Sequence, residues 1–161
     1  MDKIEIKEIN VEDNYQLISH FMLHLHANEY RLHDKTANWA EIEAGYMRHC
    51  IAMQRENDGL CLVAYVDGDP AGFMFGFTQQ QDDSRFEIGE EPELYISDGY
   101  VTEKYRRKGI YRHLNTHMEQ HFIPKGIKRV IRLTLLVNTG MRQLLEAGGY
   151  SPTRIMYEKW L

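Results

Sequence analysis

The chain has 161 residues, which is the size of one domain, and 43% of them are hydrophobic, so it can build a core of its own. Its formal net charge of −5 argues against a general nucleic-acid binder, which needs a basic surface. No apolar run approaches the roughly 20 residues that span a bilayer, and the N-terminus lacks the pattern of a secretory or transit peptide. We expect one cytoplasmic domain over residues 1–161 that binds neither nucleic acid nor membranes.

Cysteine and histidine spacing gives no support for redox or metal chemistry. Cys50 and Cys61 are the only cysteines and do not form a Cys-x-x-Cys pair, so we expect two free, buried thiols. His113, His117 and His121 repeat every four residues, but the first and last lie too far apart along a helix to meet at one ion. We therefore predict an exposed polar stripe on that helix and no metal site.

The first half of the chain predicts a strand, two helices and a β-hairpin. Isoleucines at mostly alternate positions indicate the first strand, and apolar residues three or four apart indicate the helices. The dipeptide Asp67-Gly68 is a strong signal for a hairpin turn. The predicted elements are a strand around residues 4–9, a helix after residues 10–13 that runs to about 30, a helix at 39–56, and strands at 60–66 and 71–78.

The second half predicts a loop followed by alternating strands and helices. Gly99 lies inside one strand, where glycine often marks a bulge or a close approach of backbone. The elements are a loop at 79–92, strands at 93–101, 128–137 and 150–161, a helix that begins near 110 and another at 138–147. The predicted order is β-α-α-β-β-β-α-β-α-β.

The residues between the third-last strand and the helix that follows it have the composition of an anion site. Arg106, Arg107 and Lys108 precede Gly109, and the helix begins at Ile110-Tyr111. The first turn of a helix leaves backbone N–H groups without partners, and the helix dipole adds partial positive charge there. Glycine lets a ligand approach closely. The run fits a phosphate or pyrophosphate, although three basic residues before a helix are also common on plain solvated surfaces.

The arrangement resembles the GNAT acetyltransferase superfamily, whose signature is Gln/Arg-x-x-Gly-x-Gly/Ala at a strand-to-helix turn. Arg106 and Gly109 match it, and Asn138 followed by Gly149-Tyr150 resembles a second family block. The element order agrees over essentially the whole chain. The resemblance implies an α/β GNAT fold with a mixed, mainly antiparallel sheet that splays after Val101 and is flanked by helices.

The same resemblance implies acetyl-CoA as cosubstrate and assigns its contacts. In the family, the loop wraps the pyrophosphate and the end of the preceding strand pairs with the pantetheine arm. The implied residues are Tyr100 and Val101 for pantetheine, Arg106, Arg107, Lys108, Gly109, Ile110 and Tyr111 for pyrophosphate, and Asn138 and Arg142 for the far side of the cofactor.

Three residues depart from the family pattern. Tyr111 replaces the usual small residue of the loop, and Met141 stands where Ala is frequent. Leu145 occupies the position where many members carry the Tyr that protonates the departing thiolate. If Leu145 is the counterpart, this general acid is absent or comes from elsewhere, and Tyr111 is one candidate to supply it.

The residues that lead into Val101 supply the candidate general bases, which are Glu93, Ser97 and Asp98. Simple alternation divides the strand into two faces. One face carries Glu93, Tyr95, Ser97 and Val101, and the other carries Ile96, Asp98 and Tyr100. A bulge at Gly99 would change this assignment.

The predicted activity is acetyl-CoA-dependent N-acetylation of a small-molecule or peptide amine in a ternary complex, because no cysteine is placed to act as a nucleophile. The alternative is a catalytically silent acyl-CoA-binding or sensing module, which Leu145 favours. A different nucleotide-binding α/β protein lacks support, since there is no Gly-x-Gly-x-x-Gly and no Walker lysine motif. The family resemblance is compatible with a homodimer.

Overall fold

The structure, a computed structural model, describes residues 3–80, 87 and 92–161. Most of the element prediction is confirmed, and the helix at 39–56 and the strands at 60–66 and 93–101 begin and end at the predicted residues. Most of the predicted 79–92 loop lies outside the described residues. The strands are β1 (Ile4–Ile9), β2 (Leu60–Val66), β3 (Asp69–Gln79), β4 (Glu93–Val101) and β5 (Val130–Ile131), and the helices are α1 (Tyr15–Leu32), α2 (Trp39–Glu56), α3 (Ile110–Phe122) and α4 (Thr139–Ala147).

The five strands form one sheet in the order β1-β2-β3-β4-β5. The first four are antiparallel neighbours, and β5 pairs with β4 in parallel through only two residue pairs, Leu94 with Val130 and Tyr95 with Ile131. Beyond Tyr95, the edge of β4 that faces β5 pairs with no further strand among the described residues. The mixed, mainly antiparallel sheet of the sequence prediction is therefore present, and it splays earlier than Val101.

Each face of the sheet packs against helices and forms its own core. On one face α3 contributes Ile110, Leu114, Met118 and Phe122, all nearly fully buried at the predicted four-residue spacing. On the other face α1 and α2 bury Phe21, Met47 and Cys50, among others, against β2, β3 and β4. No helix of the described residues is long and apolar enough to cross a membrane.

A β-bulge in β4 changes which residues share a face. The register pairs Phe75 with Asp98 but Gly76 with Ile96, so Ser97 is an extra residue without a partner in β3. The bulge is therefore at Ser97 and not at Gly99. It overturns the simple alternation, because Tyr95, Asp98 and Tyr100 lie on the face of α1 and α2, while Leu94, Ile96 and Val101 lie on the face of α3.

The predicted strands at 128–137 and 150–161 require correction. The first is reduced to Val130–Ile131, and the second does not form, since residues 150–161 have no regular secondary structure. Apolar composition favours a strand, but a strand also needs a neighbour to accept and donate its hydrogen bonds. Among the described residues, no strand pairs with residues 132–137 or with residues 150–161.

Candidate active site

The loop between β4 and α3 presents the predicted basic residues to solvent. A short 3₁₀-helix, Glu103–Tyr105, follows β4 and buries Tyr105 in the core, which fixes where the loop begins. Arg106, Arg107, Lys108 and Gly109 are all exposed. Ile110 is buried, so only its backbone can face a ligand in this loop.

Two left-handed residues give this loop its shape. Arg107 has φ 63° and Gly109 has φ 77°, with Gly109 as the residue that precedes the first turn of α3. Changes between right- and left-handed backbone turn successive N–H groups toward one concavity, which is a geometry that binds anions. A Cβ added at Gly109 would meet nothing closer than His113 Cδ2 at 3.9 Å, so the space in front of the helix is open.

Arg106 connects this loop to the end of β4. Its Nε donates to the Val101 carbonyl at 3.0 Å, and its guanidinium lies 5.6 Å from the centre of the Tyr100 ring. Tyr100 and Val101 are themselves buried and pair with Phe73 and Gly72 of β3 through their other edge. Arg106 thus links the loop to the last two residues of β4.

Asp98 lies at the middle of β4, buried to 6% exposure on the face of α1 and α2. Its carboxylate accepts two hydrogen bonds, from the Tyr46 hydroxyl at 2.9 Å and from Ser97 Oγ at 2.6 Å. Burial raises the pKa of Asp98, while these two donors and the nearby His26 and His49 act in the opposite direction. A buried carboxyl with a raised pKa, on a strand whose edge is open, is a candidate general base.

The other two candidate bases have structural partners. Glu93 is buried and accepts from Arg129 Nη1 at 3.2 Å and from Gln79 Nε2 at 2.9 Å, at the position where β4 and β5 begin to pair. Ser97 is half-buried, and its hydroxyl donates to Asp98. The structure thus brings Ser97 and Asp98 together and leaves Glu93 at the far end of the strand.

Tyr111 points into the space between the splayed strands. A Cβ added at Gly99 would lie 2.9 Å from the Tyr111 hydroxyl, so the absence of a side chain at Gly99 makes room for the phenol. Arg132, just beyond β5, donates to the same hydroxyl and also to Asn115 Oδ1 at 2.7 Å. Burial raises the pKa of Tyr111, and the Arg132 guanidinium partly offsets this effect.

Asn138 and Arg142 lie at the start of α4, which follows β5 in the chain. Asn138 precedes the first turn of α4, and its Oδ1 accepts from the Met141 N–H at 3.1 Å as a helix cap. Arg142 donates to the Leu136 carbonyl at 3.3 Å. Leu145 is half-buried and lines a groove between residues 129–137 and the C-terminal segment. Asn138 and Arg142 are therefore placed beside the loop that leads into α4.

Sequence reasoning missed two contacts of this site. Arg132 is a charged residue inside an apolar run, and that isolation was the available signal for a buried or functional partner. The bond from Tyr46 to Asp98 joins residues 52 positions apart, and no local pattern indicates it. No group of three or more metal-ligating side chains is placed to hold an ion in the part of the chain that the structure describes.

Comparison with known proteins identifies the family and the fold. The model of the acetyltransferase (GNAT) family matches residues 19–150. No curated protein sequence is similar enough to count as a match. Among solved structures, a GCN5-related N-acetyltransferase from Ralstonia eutropha JMP134 is 18% identical with a TM-score of 0.78, covering 98% of this chain and 99% of that one.

Two further solved structures have the same fold. A possible acetyltransferase from Clostridium difficile 630 is 21% identical with a TM-score of 0.71, covering 98% of this chain and 97% of that one. AAC(6')-Iy, solved with the bisubstrate analogue CoA-S-monomethyl-acetylneamine, is 17% identical with a TM-score of 0.69, covering 99% of both chains. The family match spans most of the sequence, and the strand-loop-helix site lies within it. The chain therefore belongs to the acetyltransferase (GNAT) family.

Proposed function

We propose that this protein transfers the acetyl group of acetyl-CoA to a primary amine by direct attack in a ternary complex. The observation that carries the proposal is the arrangement along β4. Its edge beyond Tyr95 is left unpaired by β5, an exposed basic loop follows its end, and the buried carboxylate of Asp98 lies at its middle. A cosubstrate arm that pairs with this edge would have its phosphates at the loop and its acyl end near Asp98.

The residues of the loop suit the pyrophosphate of coenzyme A. Arg107 and Lys108 provide exposed charge, and Gly109 provides open space before the first turn of α3. The backbone of Tyr100 and Val101 provides the strand edge for the pantetheine amides. Asn138 and Arg142 would contact the opposite side of the arm. To do so, their side chains would leave the Met141 N–H and the Leu136 carbonyl.

Asp98 is the proposed general base. Acetyl-CoA supplies an acyl group that is already activated as a thioester, so the chain must position the amine and manage protons. An ammonium substrate that reaches Asp98 from the side of α1 and α2 would lose a proton to the carboxylate, directly or through water, before its nitrogen attacks the carbonyl. The hydroxyls of Tyr46 and Ser97 hold the carboxylate in place.

Tyr111 is the proposed proton donor on the opposite side of β4. As the carbon–sulfur bond breaks, the phenol proton would pass to the departing thiolate, and Arg132 would stabilise the phenolate that remains. The raised pKa of Tyr111 keeps the phenol protonated at neutral pH, ready to donate. Tyr111 would then supply the general acid that is missing at the position of Leu145.

Direct attack is favoured over a covalent acyl-enzyme. Cys50 and Cys61 are free and buried, and burial raises the pKa of both thiols, so neither would be a reactive thiolate. We propose that the acceptor is a small-molecule amine that is cationic at neutral pH, because the acidic residue Asp98 lies at the site to receive it. The aminoglycosides named for several neighbours of the same fold form the first panel to assay.

Calorimetric titration with acetyl-CoA, with ATP and NAD as controls, tests the cosubstrate assignment. We expect micromolar affinity for acetyl-CoA alone, and no affinity in Gly109→Glu, since the new carboxylate would fill the loop and repel phosphate. The matched control is Gly126→Glu, which places the same residue at another exposed glycine of positive φ (85° against 77°) outside the loop. Equal loss in both variants, or none in Gly109→Glu, would refute the loop assignment.

Turnover is then measured as release of coenzyme A thiol over an amine panel. Leu145 supports one other candidate function, an acyl-CoA-binding module without catalysis. Tight binding of acetyl-CoA with no thiol release from any amine would favour that module. Thiol release that depends on a particular amine would establish the transferase.

A further inference from the structure

A polar bridge joins α1 to α2 on the face of the sheet that carries Asp98. The Trp39 indole N–H donates to Ser19 Oγ at 3.1 Å, and the Ser19 hydroxyl donates to Glu43 Oε1 at 2.8 Å. Trp39 is 3% exposed and Ser19 is 8% exposed, beside the apolar core of this face. Polar groups in such a place cost free energy unless they are hydrogen-bonded, and here each one has a partner. We call these three residues the α1–α2 bridge.

The spacing of residues along the two helices brings the bridge next to Tyr46. Ser19 and His26 are seven residues apart on α1, and Trp39 and Tyr46 are seven apart on α2, so each pair lies on one face of its helix. Where these faces meet, the centre of the Trp39 ring lies 5.0 Å from that of His26 and 5.8 Å from that of Tyr46. The rings of Trp39 and Tyr46 meet edge to face, an arrangement that favours one relative position of the two rings.

The position of Tyr46 matters because its hydroxyl reaches both carboxylate oxygens of Asp98, at 2.9 and 3.0 Å. A hydrogen bond weakens steeply as its geometry worsens, so a small movement of the Tyr46 ring would weaken this contact. Apolar packing is non-directional and tolerates sliding of one helix on another. The hydrogen bonds of the α1–α2 bridge have a defined direction and length, and they therefore fix where α2 lies on α1.

We infer that Trp39 is a positioning residue for Asp98 and acts through Tyr46. The hydrogen bond to Ser19 holds the indole, the indole holds the Tyr46 ring, and the Tyr46 hydroxyl holds the carboxylate. The consequence for catalysis rests on the proposed role of Asp98 as the general base. The effect on the ionisation of Asp98 does not rest on that role, because it follows from the contacts alone.

A change at Trp39 could also reach Asp98 through charge. Burial raises the pKa of Asp98, and four groups lower it, which are Ser97, Tyr46, His26 and His49. Four further ionisable groups lie in the field of its carboxylate, which are Cys50 of α2, Cys61 of β2, Tyr95 of β4 and Tyr111 of α3. His26 packs against Trp39 as Tyr46 does. The Tyr46→Phe background separates the two routes, because an effect through His26 would remain there and an effect through the Tyr46 hydroxyl would not.

The test is the pKa of Asp98 in Ser19→Ala, which removes the acceptor of the indole N–H and leaves the aromatic rings in place. Carbon-13 NMR of aspartate-labelled protein follows the carboxyl between about pH 3 and 10, and Asp98→Asn identifies its resonance. Since the bond from Tyr46 lowers the pKa of Asp98, we expect Ser19→Ala to raise it by about half a unit or more, or about threefold in the ionisation constant. In the Tyr46→Phe background, the same substitution should leave the pKa unchanged.

Ile18→Val is the matched control, because Ile18 is the buried neighbour of Ser19 and its apolar side chain can make none of the bridge's hydrogen bonds. It weakens packing alone and should leave the pKa of Asp98 unchanged. Trp39→Phe removes the indole N–H by a second route and should raise the pKa as Ser19→Ala does. Circular dichroism monitors that each variant folds. An unchanged pKa in the folded bridge variants, an equal rise in Ile18→Val, or a rise that persists in the Tyr46→Phe background would each overturn the inference.

The NMR titration needs no turnover, so its outcome is separate from that of the proposed function. If the wild type transfers acetyl groups with Asp98 as the base, the acid limb of the kcat/KM profile should move with the pKa of Asp98 in each variant. A rise of that pKa through Tyr46 in a protein without turnover would support the positioning role of Trp39 and contradict only the catalytic role of Asp98.

Discussion

Replacing Tyr46 by Phe removes one of the two hydroxyls that donate to the buried Asp98 carboxylate and leaves the ring of α2 in place. A hydrogen bond to a charged group contributes about 1.5–3 kcal/mol, and one pKa unit corresponds to about 1.4 kcal/mol. The bond to Tyr46 lowers the pKa of Asp98, so its loss should raise that pKa by roughly one to two units.

Because a general base works only when it is ionised, the acid limb of the kcat/KM profile should move to higher pH by the same one to two units. The assay is acetyl transfer measured between about pH 5 and 10 for the wild type, Tyr46→Phe and the control Tyr95→Phe. Tyr95 lies on the same face of β4, but the hydroxyls that donate to Asp98 belong to Tyr46 and Ser97. An unshifted acid limb in an active, folded Tyr46→Phe variant would refute the assignment of Asp98 as the base.

Three further outcomes follow from contacts around β4. Asp98→Asn should lower kcat/KM by about 10²-fold or more without lowering the melting temperature at pH 7. Burial raises the pKa of Asp98, so its charge costs stability as pH rises through that value. A loss of stability that matches the loss of activity would indicate a structural role. Tyr111→Phe should lower kcat by roughly 10²-fold with unchanged acetyl-CoA affinity, and a donor with a more acidic thiol should recover part of the loss; no recovery would argue against proton donation. Gly99→Ala should destabilise the fold by about 1–3 kcal/mol through contact with the Tyr111 hydroxyl. In a double-mutant cycle measured by urea unfolding, Tyr111→Ala should reduce this destabilisation by about 1 kcal/mol or more. Additive effects would show that the two residues do not touch.

The parts of the fold that local patterns determine were predictable from the sequence. The helix over Trp39–Glu56 and the strands over Leu60–Val66 and Glu93–Val101 have periodic apolar residues and clear ends, and the structure confirms their limits. The basic loop was also recognisable, because its residues are consecutive. Its role in binding coenzyme A stays a prediction.

Features that depend on distant partners were not predictable. The bulge at Ser97 arises from the register of β4 on β3, and it alone decides that Asp98 faces α1 and α2 beside Tyr46. The pairing of Gly99 with Tyr111 likewise joins two elements through space. The predicted strand at 150–161 shows the opposite limit, since its pattern is strand-like but no regular secondary structure forms there.

The ion pair of Glu93 with Arg129 lies where β4 and β5 begin to pair, two residues before the two strands diverge. The Leu94 N–H also donates to the Arg129 carbonyl at 2.9 Å, so side-chain and backbone bonds fasten the two strands at one point. Because only two residue pairs join the strands, this point sets the angle at which β4 and β5 diverge. If the cleft binds donor and acceptor as proposed, a change at Arg129 would alter its width for both, and kcat and KM would shift together.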